Sequence, residues 1–198
     1  IIIFLHFCQS SKVSSASFSA YAPTSIAVDE MRFGGLGEIW VADGYGASLV
    51  HKYTSGGEYI LSIDGSSGAG HFSCPHGIVI DRRKEVPELY VADRANGRVQ
   101  VFDLNGGYLR TFGEDFFTTP SEFAITGDLM IVAELEARLT MVDMNDQLVC
   151  YLFPDDEAAE CEGWPNELAE SGSPQRPSRL DIGKFNSPHG ITVDEKGN

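Results

Sequence analysis

The chain repeats itself, and no other feature restricts its fold as much. Pro23-Thr-Ser-Ile-Ala-Val-Asp29 is echoed by Pro75-His-Gly-Ile-Val-Ile-Asp81 and by Pro188-His-Gly-Ile-Thr-Val-Asp194, with a weaker copy at Pro120-Ser-Glu-Phe-Ala-Ile-Thr126. A second run follows: Glu38-Ile-Trp-Val-Ala-Asp43, Glu88-Leu-Tyr-Val-Ala-Asp93 and Leu129-Met-Ile-Val-Ala-Glu134. A third recurs at Leu49–Tyr53, Arg98–Phe102 and Leu139–Asp143, and a fourth at Tyr59–Ile63, Tyr108–Phe112 and Leu148–Leu152. The starting prolines stand 52, 45 and 68 residues apart.

Each unit therefore holds four short runs rich in β-branched and aromatic residues, separated by turn pairs such as Gly56-Gly57 and Asn105-Gly106. The apolar period is near two, which a helical repeat would not show. Four strands in about 40–50 residues make one propeller blade. The chain is predicted to be all-β, with three full blades and the first strand of a fourth across residues 21–198. Closure of a propeller takes roughly four to eight blades, so the sequence reads as part of a larger ring.

Residues 153–184 lengthen the last spacing. They hold four of the nine prolines and eight acidic against three basic residues, a composition that reads as a loop inserted at one rim. The acidic run Asp155–Glu162 lacks the alternating spacing of a calcium loop. Residues 1–20 stand outside the fold. Their apolar start, Ile1-Ile-Ile-Phe-Leu5, is too short to cross a bilayer. It reads either as the tail of a secretory signal, with Ser14-Ser-Ala16 as cleavage site, or as a stray stretch. The first of these implies a secreted or extracellular protein.

Charge removes one class of function. With 14 Lys and Arg against 29 Asp and Glu, the net charge is −15, which repels a phosphate backbone, and nucleic acid is not an expected partner. The spacings of the four cysteines do not resemble a disulfide framework, which leaves a Cys150–Cys161 pair open, and the absence of CxxC argues against a Cys-based zinc site or redox motif.

Residues at one repeat position of different blades converge on the central channel. His76 and His189 share such a position, each after proline and before Gly-Ile. Neutral imidazoles meeting at an axis suit zinc, although catalytic sites use three protein ligands and a Pro-His-Gly turn also serves packing alone. Asp43-Gly-Tyr45 and Asp93-Arg94 share the turn after the second strand. There a tyrosine suits a proton acceptor and an arginine a carboxylate clamp, while the two aspartates read as turn caps. Arg98 reads as lying on a strand face. His51 sits mid-strand and His71 in a Gly-rich turn, both read as non-catalytic.

The Pro-Thr-x-Ile-Ala-Val-Asp start, the Asp-Gly-Tyr turn, Phe72-x-x-Pro-His76, Val91-Ala-Asp-Arg-x-Asn-Gly-Arg-x-Gln100 and Phe185-x-x-Pro-His189 recur in this order in NHL-repeat propellers. Among these the arrangement resembles the peptidyl-α-hydroxyglycine α-amidating lyases over residues 21–152 and 183–198. The resemblance implies six blades when complete and a zinc-dependent carbon–nitrogen lyase. Such an enzyme converts a peptidyl-α-hydroxyglycine, or a similar small carbinolamide, to amide and glyoxylate. It implies His76 and His189 as zinc ligands with a third histidine outside this chain, Tyr45 as the phenolic base, and Arg94 beside it. Gly46 and Val101 stand where the lyases have half-cystines, and Gly190 where they have an aspartate near calcium. The disulfides and the calcium therefore do not carry over, and the pattern looks closer to lyase-related propellers of microbial type. The alternative is a non-catalytic NHL propeller that offers a rim to a protein partner.

Overall fold

The computed structural model describes residues 21–165, 168, 170–173, 181–194 and 196. The possible signal segment and part of the 153–184 insertion lie outside these residues. The described chain folds into three four-stranded antiparallel sheets, each a meander in sequence order. The first sheet holds β1 (Ser25–Val28), β2 (Ile39–Asp43), β3 (Leu49–Tyr53) and β4 (Tyr59–Ile63). The second holds β5 (Pro75–Asp81), β6 (Glu88–Asp93), β7 (Arg98–Asp103) and β8 (Tyr108–Phe112). The third holds β9 (Pro120–Thr126), β10 (Leu129–Glu134), β11 (Arg138–Val142) and β12 (Leu148–Leu152). The twelve runs read from the repeat are these twelve strands. Among the described residues the only helical pieces are three 3₁₀ turns, and none is long and apolar enough to cross a membrane.

The sheets stack as blades, with β1 against β5 and β5 against β9 forming the inner wall. The middle blade shows why its second strand reads as almost continuously apolar. Successive side chains of a strand point to opposite faces, so Leu89 and Val91 enter the core shared with the first blade, beside Trp40, Val50 and Ile78. Tyr90 and Ala92 enter the core shared with the third, beside Phe123, Met130 and Val132. Both faces are buried, and each residue from Leu89 to Ala92 is fully shielded.

One polar device recurs in every blade. The acid closing the second strand is fully buried, and its carboxylate receives a backbone N–H from the turn that opens the first strand. Asp43 accepts from Ala22 at 2.6 Å, Asp93 from Ser73 at 2.7 Å, and Glu134 from Thr118 at 2.6 Å. Asp43 also takes the Ala47 N–H of the next turn at 2.8 Å. In the second and third blades an arginine from the third strand completes the pair, Arg98 Nε on Asp93 and Arg138 Nε on Glu134, both at 2.8 Å. Arg98 is thus tied into a buried acid rather than lying on a free strand face. Since a carboxylate out of water needs such donors, the Val-Ala-Asp ending locks the two turns that face the channel.

Pro188–Asp194 has no described strand beside it, and without a ladder it takes no strand conformation among the described residues. Cys150 and Cys161 are free thiols: Cys150 is exposed on the outer strand β12, while Cys161 Sγ turns to the Glu157 carbonyl at 3.4 Å. The described residues of 153–184 form no strand; they carry a 3₁₀ turn at Ala158–Glu160 and an isolated bridge residue at Leu168. The segment is fastened to the third blade by Asp155 N–H on the Ala137 carbonyl at 3.1 Å.

Candidate active site

His76 is the second residue of β5 and only 3% exposed. The β5–β6 ladder passes from Pro75↔Asp93 to Ile78↔Val91 with a register shift, so His76 and Gly77 form a bulge, a device that re-aims side chains near functional sites. His76 Nδ1 lies 2.9 Å from the Ser121 carbonyl oxygen of the third blade. A carbonyl only accepts, so Nδ1 carries the hydrogen and a neutral ring keeps its lone pair on Nε2.

That Nε2 faces Tyr45. The phenol oxygen lies 3.2 Å from His76 Nε2 and 3.3 Å from His189 Nε2. Arg94 Nη1 donates to the same oxygen at 3.2 Å, with its guanidinium carbon 5.2 Å from the Tyr45 ring centroid. The two histidine rings meet edge to face, 4.5 Å between centroids. Four side chains from four separate stretches of chain therefore meet at the phenol oxygen of one of them. Tyr45 is 56% exposed, so the cluster opens to solvent.

Local structure explains the convergence. Tyr45 follows Asp43 by two residues and Arg94 follows Asp93 by one, so both sit in turns held by the buried acids. Gly44 passes so close to the Pro75 carbonyl that a Cβ there would overlap it. Thr24 Oγ1 reaches the carbonyls of Pro75 at 3.0 Å and His76 at 2.8 Å, tying the first blade to the second beside the site. Of the other histidines, His51 is fully buried with Nδ1 2.7 Å from Ser62 Oγ, and His71 is exposed, 3.2 Å from Asp64.

Burial, with the neighbouring Arg94 and His189 charges, pushes the His76 pKa down to about 4. Partial shielding of its ring and the Arg94 cation lower that of His189. Both imidazoles are therefore neutral at pH 7, the form that ligates metal. Two nitrogen donors with a phenol between them fit zinc in kind, but no cluster of three or more His, Cys, Asp or Glu side chains exists among the described residues. The set is one short of the three protein ligands of a catalytic zinc.

Two parts of this arrangement escape a reading of side-chain types. The Ser121 carbonyl is backbone, although Ser121 occupies the repeat position of His76. Cys74 Sγ, immediately before Pro75-His76, accepts Arg94 Nη2 at 3.1 Å and holds the second half of that guanidinium.

The NHL repeat model matches residues 72–102, the middle blade up to its third strand. Peptidyl-alpha-hydroxyglycine alpha-amidating lyase 1 of Drosophila melanogaster is 33% identical over 135 residues, covering 59% of this chain and 23% of that protein. Peptidylglycine alpha-amidating monooxygenase of Rattus norvegicus is 32% identical over 102 residues, covering 49% of this chain and 8% of that one. NHL repeat-containing protein 3 of Homo sapiens is 34% identical over 114 residues, 54% of this chain and 32% of that protein. The chain thus spans less than a third, or little more, of each relative. Hydrazine synthase of Kuenenia stuttgartiensis shares the fold, with a TM-score of 0.52 at 16% identity over 65% of this chain and 36% of that one.

Blades, repeat and matches together define an NHL-repeat β-propeller chain. Within that class it resembles the peptidyl-α-hydroxyglycine α-amidating lyases.

Proposed function

We propose that the protein carrying this chain is a zinc-dependent carbon–nitrogen lyase of the peptide-amidating type. Its substrate would be a peptidyl-α-hydroxyglycine or similar carbinolamide. The observation that carries this reading is the meeting of Tyr45, His76, His189 and Arg94 at one oxygen, within 3.3 Å. His76 and His189 would hold the metal through Nε2, with a third ligand from beyond these residues. Zinc bound there supplies a positive charge that polarises a hydroxyl oxygen and makes its proton easier to remove.

The remaining work falls to the chain. Tyr45, as its phenolate, would take the substrate's hydroxyl proton at Oη. As that O–H breaks, the carbon–oxygen double bond of glyoxylate forms and the carbon–nitrogen bond breaks. The amide nitrogen then takes up a proton and leaves as the peptide amide. Arg94, whose Nη1 already donates to Tyr45, would stabilise the negative charge on the phenol oxygen or bind the substrate carboxylate. A secreted or extracellular location is part of the same reading.

The test is glyoxylate release from a peptidyl-α-hydroxyglycine by the zinc-loaded protein. Tyr45→Phe is expected to keep its zinc and lose about 10²–10⁴-fold in turnover, the usual weight of a positioned proton acceptor. The second reading is a non-catalytic propeller with a protein partner: NHL repeat-containing protein 3, whose name carries no activity, is as similar to this chain as the lyase is. Zinc-loaded wild type that releases no glyoxylate would transfer the assignment to it.

A further inference from the structure

The third blade contributes no side chain to the cluster, yet its Ser121 carbonyl fixes which nitrogen of His76 carries the hydrogen. Ser121 is poorly held by its own sheet. The β9–β10 ladder runs Glu122↔Ala133 and then Pro120↔Glu134, so Ser121 is the extra residue of a bulge with no cross-strand partner. Its position over His76 also depends on Gly77, where a Cβ would stand 2.5 Å from the Ser121 oxygen and 2.7 Å from the Glu122 Cα.

Glu122, the next residue, stands at the repeat position of Ser25, Gly77 and Gly190. Its carboxylate does not turn to solvent. It passes the bare Gly77 and accepts Ser25 Oγ of the first blade at 3.3 Å, and Ser25 Oγ in turn receives the Ile78 N–H of the second blade at 3.3 Å. The remaining acceptor, Oε1, takes Glu122's neighbouring Phe123 N–H at 3.2 Å. Burial raises the carboxyl above its ordinary range, so this placement costs stability that a small residue would not. Around the axis the links close on themselves: Thr24 to the His76 carbonyl, His76 Nδ1 to Ser121, and Glu122 back to Ser25.

We propose that Glu122 is a positioning residue for His76: by bridging to Ser25 across Gly77 it holds the bulged Ser121 carbonyl on Nδ1 and so keeps the Nε2 lone pair directed at Tyr45. Ser121 Oγ on the Thr119 carbonyl at 3.0 Å anchors the bulge from the other side but does not reach across the axis. The value of such a residue to the site rests on the reading of His76 as a ligand, whereas its effect on the ring does not.

The experiment is ¹⁵N NMR of the His76 ring in the metal-free protein at pH 7.5, with zinc affinity measured alongside. Wild type is expected to show a protonated Nδ1 and an unprotonated Nε2. Glu122→Ala is expected to collapse the two shifts towards an average, as the tautomers mix, and to weaken zinc about 10–100-fold, the usual weight of a residue that orients a ligand. Glu122→Gln, which keeps a partner for Ser25, should restore both. Ser25→Ala serves as the second variant should Glu122→Ala not fold, with the same mixing expected. An Nδ1–H tautomer unchanged in Glu122→Ala, or in Ser25→Ala, overturns the proposal. Mixing of tautomers in a protein whose wild type binds no zinc would leave Glu122 its positioning role and remove the lyase reading instead.

Discussion

Pro75–Asp81 and Pro188–Asp194 share five of seven residues, Pro-His-Gly-Ile at the start and Asp at the end, yet they fold differently. The first is a seven-residue strand, β5, paired along β6 and packed between the inner strands of two blades. The second has no strand, and its His189 and Gly190 are exposed. What separates them is surroundings. Ile78 is 3% exposed within the core between the first two blades, whereas Ile191 is half-buried, with no described strand beside it. A β-run acquires its conformation from the ladder and the faces it is given, so the same motif is a paired arm where a ladder is present and an unpaired arm where no described strand lies beside it. Both arms nevertheless deliver a histidine to the same phenol oxygen.

Paired substitutions sharpen this contrast. The largest effect is expected from Ile78→Ala, at about 2–5 kcal/mol by urea unfolding, because a buried side chain is removed from a packed core. Ile191→Ala should stay within about 0.5 kcal/mol, as half-exposed positions usually do. Equal losses would mean that 188–194 is packed as tightly as β5. Next comes Gly77→Ala, expected to cost about 1–3 kcal/mol, since its Cβ would press on the Ser121 oxygen at 2.5 Å. Gly190→Ala meets nothing within 4 Å and should be close to neutral.

The smallest effect is on pH dependence. Burial lowers the pKa of His51 and brings that of His76 to about 4, against about 6.5 for each in the unfolded chain. Between those values the unfolded chain binds protons that the folded one does not, so stability is full above about pH 6.5 and falls as the pH drops towards 4. Urea midpoints of the metal-free protein between pH 7.5 and 4.5 check this. His51→Gln should flatten part of the slope, and a midpoint that rises on acidification contradicts it.

The contrast also marks what a sequence can disclose. The blades were legible because Glu38–Asp43, Glu88–Asp93 and Leu129–Glu134 repeat a pattern that only a sheet buried on both faces requires. The grouping of Tyr45 with Arg94, and of His76 with His189, was legible from repeat position alone. Pro188–Asp194 repeats the motif, but a motif does not encode its own neighbour, and no described strand lies beside it. Ser121 went unread because its contribution is a carbonyl, common to all residues. Arg98 reads as a surface residue until the buried Asp93 beside it is seen, and the spacing of Cys150 and Cys161 says nothing of one lying on an outer strand and the other in the insertion.

The central claim is that these two unequal arms hold one zinc at Tyr45. Native mass spectrometry of the protein carrying this chain, after zinc loading and desalting, tests it most directly. One zinc per chain is expected in wild type, with its loss in His76→Ala, since the buried, oriented imidazole is the firmer of the two ligands. Full zinc content in His76→Ala would contradict the account.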